Sequence, residues 1–272
     1  MIPININWFP GHMNKALNNI KEMINQVDSI IELRDSRIPL TSGNPELHDI
    51  LNNKPLIIVL NKSDLSTTEG NLEWKKWFES KDQRVILTNT KNNRRRKNDL
   101  NKIRDYSQQF VKKSRITKKP LRIPRVLVVG IPNVGKSSFI NYLTGKRSAR
   151  IGAKPGLTRG KQMITISNKI QIVDTPGVLW PKIQSKSDGI KLASIGSIKD
   201  SNFELDEIIE YIVSLVDEEV FWYDYVENYA KNRNFLISDG KYDLERAKHS
   251  ILIEFQEGKL GRFTLERPNY EI

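Results

Sequence analysis

The sequence predicts an α/β fold, a mostly parallel sheet alternating with helices, followed by a small all-helical C-terminal domain. Three observations carry this reading. Short strand-like runs recur at residues 27–33, 56–60, 84–87, 126–129, 162–166 and 169–173, with apolar residues at helical spacing between several of them. One run empties into Gly130-Ile-Pro-Asn-Val-Gly135-Lys136-Ser137, and a helical pattern follows over 138–143, the strand, glycine loop and helix of a phosphate-binding unit. Beyond about residue 181 the strands stop and only helical patterns continue.

The first elements are an aromatic turn, Trp8-Phe9-Pro10-Gly11-His12-Met13, and a helix over 14–26 carrying Ala16, Leu17, Ile20, Met23 and Ile24. The first strand ends at Arg34-Asp35-Ser36-Arg37-Ile38-Pro39, where proline and polar residues break regular structure. The second delivers Asn61-Lys62-Ser63-Asp64 at its carboxyl end, the place where ligands bind in open α/β sheets. Trp74, Trp77 and Phe78 mark a helix with a buried face, and the third strand ends in Thr88-Asn89-Thr90. Residues 91–119 then hold twelve Lys or Arg against two Asp, which reads as a basic linker with partial helix near 100–111.

After the phosphate loop, residues 145–169 hold seven basic residues and no acid, with Thr158 in a Gly-rich segment. The last strand pair delivers Asp174-Thr175-Pro176-Gly177. Residues 182–200 read as a linker, 206–230 as one long helix and 244–256 as another. The boundary is placed at 181, giving a nucleotide domain over 1–181 and a helical domain over 182–272. The second domain has twelve basic and eighteen acidic residues, so any nucleic acid would meet only one face of it.

Composition narrows the function classes. The formal charge of +12, from 44 Lys and Arg against 32 Asp and Glu, favours an anionic partner beyond any nucleotide. The absence of cysteine excludes disulfides, thiolate metal sites and cysteine nucleophiles. No apolar run approaches the ~20 residues of a membrane span, and the N-terminus lacks the pattern of a secretory signal. The expectation is a soluble cytoplasmic protein with no membrane partner.

The motifs define a pocket for a nucleotide. Loop N–H groups from Asn133 through Val134 and Gly135 to Lys136, Ser137 and Ser138 would face a polyphosphate at a helix N-terminus. Lys136 would meet the β- and γ-phosphates and Ser137 would hold Mg²⁺. Asp174 would hold the same ion through water, and the Gly177 N–H would reach the γ-phosphate. Thr158 would close on Mg²⁺ only when the third phosphate is present, which makes that segment a switch.

Asn61, Lys62 and Asp64 select the base. Guanine offers two N–H donors on one edge, and the Asp64 carboxylate can accept both, a pair that adenine lacks. Asn61 would tie the loop together, the stem of Lys62 would cover one ring face, and Asn89 and Thr90 occupy the place of a further guanine loop. The ligand is therefore GTP or GDP. The alternatives at each motif are bland ones: a glycine turn before a helix, a polar turn, a surface threonine.

The order of the motifs is unusual for a P-loop GTPase domain. The base-selecting segments precede the phosphate loop, a circularly permuted arrangement (G4-G5-G1-G2-G3 in the usual motif labels). Compact domains tolerate permutation because their termini lie close together, and the basic run over 91–119 would be the joint.

With Trp8-Phe-Pro-Gly-His-Met13, Asp35-Ser-Arg-Ile-Pro39, Asn61-Lys-Ser-Asp64, the phosphate loop and Asp174-Thr-Pro-Gly177 in this order, the chain resembles the circularly permuted GTPases of the ribosome biogenesis GTPase A (YlqF) type. The resemblance runs nearly end to end. It implies GTP hydrolysis, a C-terminal helical domain that binds RNA, and partnership with rRNA and the precursor of the large (50S) ribosomal subunit. The protein is expected to act as a monomer. Where a glycine-rich turn is usual after Asn89, Asn92-Asn93-Arg94-Arg95-Arg96 stands here.

Catalysis needs a residue to hold the attacking water. Val178 stands just after the Gly177 motif, and an aliphatic side chain cannot do this. The resemblance points to His12, whose imidazole could bond water from the Pro-Gly turn; the alternative is that His12 ties that turn down. It also implies K⁺ coordination by Asn133, otherwise a loop-stabilising amide. The competing reading of the whole chain is an RNA- or ribosome-binding module whose nucleotide is structural and never turned over. An ATP-dependent phosphotransferase conflicts with Asp64.

Overall fold

The computed structural model describes residues 20–45, 50–51, 54–112, 122–146, 162–175, 183, 185–198, 203–237 and 239–269. Within these bounds the chain divides into two compact units. A sheet unit holds the described residues up to 175 and regains the chain for 266–269, while a helical unit holds those from 183 to 265.

The sheet unit is built on six strands: β1 (Ser29–Asp35), β2 (Leu56–Asn61), β3 (Arg84–Leu87), β4 (Arg125–Gly130), β5 (Gln162–Ile166) and β6 (Ile170–Asp174). They lie in the order β3-β2-β1-β4-β6-β5. All neighbours are parallel except the β5–β6 hairpin. The central strands β1, β2 and β4 are buried on both faces, as a parallel sheet covered on both sides requires. One face packs Ile20, Ile24, Val27, Ile30, Leu127 and Val173 together. Another cluster joins Ile58, Leu60 and Val85 to Trp74 and Phe78 of α1 (Thr68–Ser80). That helix opens on Thr67, whose side chain accepts the Gly70 N–H.

Register fixes the site. Asp35 pairs with Asn61, Leu33 with Gly130, and Val128 with Asp174. The residues that end four adjacent strands therefore gather at one carboxyl edge, the ligand side of an open α/β sheet.

The basic run departs from the linker expectation. Residues 93–95 form a 3₁₀ turn that leads into α2 (Arg96–Gln108), a helix docked by buried Leu100 and Ile103. Its Asp99 accepts a 2.7 Å hydrogen bond from the Tyr142 hydroxyl of α3 (Lys136–Thr144), and Ser107 accepts one from Ser29 of β1. The apolar positions 100 and 103, with 107, lie on one helical face, so this segment is both charged and structural.

The C-terminal tail also contributes to the sheet unit. The Glu266 carboxylate accepts the backbone N–H groups of Leu40 (2.9 Å) and Thr41 (3.2 Å) and the Thr41 hydroxyl. Its carbonyl accepts the Trp74 indole N–H at 3.0 Å, and the Asn269 carbonyl accepts that of Trp77 at 3.1 Å.

The helical unit contains α4 (Lys186–Ser194), α5 (Leu205–Val216), α6 (Trp222–Asn232) and α7 (Leu244–Glu257). The 182–200 linker expectation misses α4, which starts from a Ser185 cap bonded to the Asp188 N–H. The single helix expected over 206–230 is two, broken at Asp217, whose backbone is extended. Ile208, Ile209, Ile212 and Val213 of α5 are buried, as are Val226 of α6 and Ile251 and Phe255 of α7. Among the described residues no helix is long and apolar enough to cross a membrane.

Candidate functional site

The loop after β4 forms because Gly130 and Gly135 allow what other residues would not. A Cβ at Gly130 would stand 2.6 Å from the Leu33 carbonyl of β1. Gly135 has a left-handed φ of 96°, and a Cβ there would stand 2.6 Å from Asn61 Nδ2. From Gly135 the chain enters α3 with no side-chain cap on its first turn. The first N–H groups of a helix have no intrahelical acceptors, so the start of α3, at Lys136, Ser137 and Ser138, is equipped for an anion. Ser137 and Ser138 are half-buried, Val134 is buried, and Asn133 is exposed with φ 56°.

Lys136 is buried, its ammonium donating to the carbonyls of Gly130 (3.0 Å) and Ile131 (2.8 Å). Burial pushes it down to about 8, against the attraction of Asp174. Burial pushes the Asp174 carboxyl up, with Lys136 and the Thr175 N–H opposing. Among the described residues Asp174 Oδ1 is buried and makes no hydrogen bond, an orphan acceptor that asks for a ligand. Thr175 fixes the strand end by donating its hydroxyl to the Val128 carbonyl at 2.7 Å. A carboxylate oxygen of this kind, with a serine hydroxyl at the start of α3, fits a hard cation such as Mg²⁺, which takes few protein ligands and keeps water and phosphate oxygens as the rest.

The Asn61-Lys62-Ser63-Asp64 segment leaves β2 beside this loop. Asn61 is buried, and its amide donates to the Val134 carbonyl at 2.9 Å while its oxygen accepts the Thr88 hydroxyl at 3.1 Å. One side chain thus ties the segment after β2 to the loop after β4 and to the end of β3. The Ser63 N–H bonds the Thr88 carbonyl at 3.0 Å, which ties the segment after β2 to the end of β3 from the other side. Asp64 remains partly exposed, with the largely exposed Lys91 ammonium 3.4 Å away. Lys62 has a left-handed φ of 56° and stands 3.1 Å from Asp35 Oδ2. Asn89 uses its side-chain oxygen on the Lys91 N–H (2.9 Å), an Asx turn, and half-buried Thr90 follows it.

The structure therefore brings Asn61, Lys62, Asp64, Asn89, Thr90, the 133–138 loop and Asp174 to one edge of the sheet. His12, Thr158, Gly177 and Val178 lie outside the described residues. Sequence reasoning missed Asp35, Arg37 and Thr88 as parts of the site. Asp35 and Arg37 belong to the Asp35-Ser-Arg-Ile-Pro39 segment that carries the resemblance, but their place beside Lys62 becomes readable only once β1 and β2 are known to be neighbours.

Residues 125–248 match the family model described as "50S ribosome-binding GTPase". Ribosome biogenesis GTPase A of Bacillus cereus is 34% identical over 282 residues, covering 97% of this chain and 94% of that protein. The crystal structure of GNP-bound YlqF from T. maritima is similar with a TM-score of 0.73 and 31% identity over 94% of this chain and 99% of that one. GDP-bound TM YlqF gives 0.71 and 30% over 92% and 99%.

Proposed function

The chain belongs to the ribosome biogenesis GTPase A family, and from that premise we propose how its own residues bind GTP, turn it over and engage the large ribosomal subunit. It is a GTP-binding and GTP-hydrolysing protein of ribosome assembly. The observation that carries the residue-level reading is the 2.9 Å bond from Asn61 to Val134. It links the segment after β2 to the loop after β4 although the two residues stand 73 positions apart, which supports reading both as parts of one nucleotide site.

In this reading Asp64 accepts both guanine donors, the Lys62 stem covers a ring face, and the start of α3 with Lys136 holds the phosphates. Ser137, Asp174 and Thr158 would hold Mg²⁺, which when bound neutralises charge on the phosphate oxygens. Asn133 is the position that the family resemblance implies for K⁺. His12 would orient the attacking water and Gly177 would contact the γ-phosphate. The protein acts as a monomer in the cytoplasm, with nucleotide domain 1–181 and an RNA-binding helical domain from 182 to 265, beyond which the tail rejoins the sheet unit.

Multiple-turnover GTP hydrolysis, measured with and without large-subunit precursors, tests this. Stimulation by the subunit is expected; none at all would favour the module that keeps its nucleotide unhydrolysed. His12→Ala should lower stimulated turnover by about 100-fold with GTP affinity nearly unchanged. Equal loss of turnover and affinity would assign His12 to folding.

The rRNA-facing surface is proposed at the start of α2. Arg94, Arg95 and Lys97 are exposed, whereas Arg96 is half-buried and donates to the Leu143 carbonyl at the end of α3 (3.4 Å). Neutralising Arg94 and Arg95 should therefore reduce RNA affinity without disturbing α3. Each phosphate interaction removed should lower the slope of log K against log salt by about one, read by filter binding across salt concentrations. An unchanged slope would make the run purely structural.

A further inference from the structure

The strand next to the base-selecting loop ends in a charge cluster that the nucleotide chemistry above does not use. Asp35 is fully buried at the end of β1. Its Oδ1 accepts the Arg37 backbone N–H at 3.1 Å and the Arg37 Nε–H at 3.0 Å, and its Oδ2 accepts the Arg37 Nη2–H at 2.9 Å. Arg37 is itself 2% exposed. The same Oδ2 lies 3.1 Å from the Lys62 ammonium. One buried carboxylate thus faces two cations, one on its own turn and one delivered by the neighbouring strand.

The register explains the meeting. Asp35 is paired with Asn61, the residue before Lys62, and the Ser36 N–H bonds the Asn61 carbonyl at 2.9 Å. The chain then turns at Lys62 with a left-handed φ that long side chains rarely adopt. That backbone conformation is maintained while the side chain is directed back to Asp35. Burial opposes the charge on Asp35, yet Arg37 and Lys62 hold its carboxyl well below the usual carboxylate range. Burial lowers Lys62, and Asp35 acts against that.

A carboxylate already gripped by a bidentate arginine has no need of a second cation for its own satisfaction. The second contact instead fixes Lys62. A lysine stem is otherwise among the most mobile side chains, and a base that had to order it on binding would lose affinity. We infer that Asp35, braced by Arg37, is a positioning residue for guanine nucleotides: it pins the Lys62 ammonium so that the stem is already laid where it covers a face of the base. This deepens the GTP reading and rests on it.

The role differs in kind from that of Asp64. A covered ring face favours any purine, whereas Asp64 reads the donor edge. Removing the anchor should weaken GDP and inosine diphosphate equally, although the second lacks the exocyclic amine. Removing the edge reader should change their ratio.

The experiment measures Kd for GDP and inosine diphosphate by titration calorimetry on the full chain, for the wild type, Lys62→Met, Asp35→Asn and the double variant. Lys62→Met keeps an unbranched stem and leaves the Asp35–Arg37 pair in place, so it decides the matter even if Asp35→Asn, which leaves Arg37 facing a neutral partner, fails to fold. Each single variant should bind both nucleotides about five- to tenfold more weakly, with the ratio between them as in the wild type. The double variant should be no weaker than the singles, and stimulated hydrolysis should show a raised KM with kcat unchanged. Lys62→Met binding GDP as tightly as the wild type would overturn the proposal, as would additive losses or an altered ratio. A wild-type chain that binds no GDP would instead sink the underlying nucleotide reading, and would do so before any variant is made.

Discussion

Lys136→Ala should raise the Kd for GDP by on the order of 100-fold or more, because it removes a buried cation from a site built to face polyphosphate. The Gly130 and Ile131 carbonyls hold that cation at the loop, so it stands ready for an incoming anion. The fold should survive the substitution, since water can satisfy the two backbone carbonyls that the ammonium leaves behind. A fluorescent GDP analogue reports the weakened binding directly. Wild-type affinity in the variant would mean that the loop around Gly135 is a turn and no phosphate site.

The same lysine predicts a pH dependence. Burial holds Lys136 at about 8, below its ordinary 10.5. Phosphate needs the charged form, so wild-type affinity for GDP should fall as pH rises past about 8, and Lys136→Ala should lack that decline. The effect on stability runs the other way. Between about 8 and 10.5 the unfolded chain holds the proton that the folded chain has released, so this group's contribution to unfolding free energy rises with pH across that window.

Asp64→Asn should weaken GDP by roughly 1000-fold and make xanthosine diphosphate the better ligand. An amide offers one acceptor and one donor where the carboxylate offers two acceptors. Guanine then leaves a donor facing a donor, while xanthine presents a carbonyl in place of the amine and matches the pair. The Lys91 contact does not complicate the comparison, since an ion pair at 3.4 Å on the surface contributes little. Competition between the two nucleotides measures the exchange. A variant that kept full guanine preference would remove Asp64 from base selection and reopen the ATP reading.

Most of the sheet and half of the site were legible in the sequence for a common reason. Parallel strands buried on both faces appear as unbroken apolar runs, and the residues that end them are the ones that carry motifs. The phosphate loop and Asn61-Lys62-Ser63-Asp64 can be read before any contact is known. What stays hidden depends on pairing. Asp35 and Lys62 meet only because β1 and β2 are neighbours in that register, and Glu266 reaches Leu40 from 226 residues away. Charge obscures the α2 helix, whose apolar face is only Leu100 and Ile103 on an otherwise polar surface. Continuity obscures the division between α5 and α6, since apolar residues keep helical spacing on both sides of the Asp217 break. The Ser185 cap of α4 is readable, as a serine three residues before an aspartate, but the polar residues around it give it the look of a linker.

The strand order β3-β2-β1-β4-β6-β5 divides the sheet between an early and a late portion of the chain. During translation β1, β2 and β3 leave the ribosome first, and one flank of β1 has no partner until β4 arrives about ninety residues later. At ordinary elongation speeds that interval is roughly 5–20 s. All seven residues of β1 are buried in the finished fold, so for that time the nascent polypeptide presents a naked edge of the kind that pairs with other chains. Slow codons between the two halves would lengthen the exposure, and a chaperone that shields strand edges would matter most there.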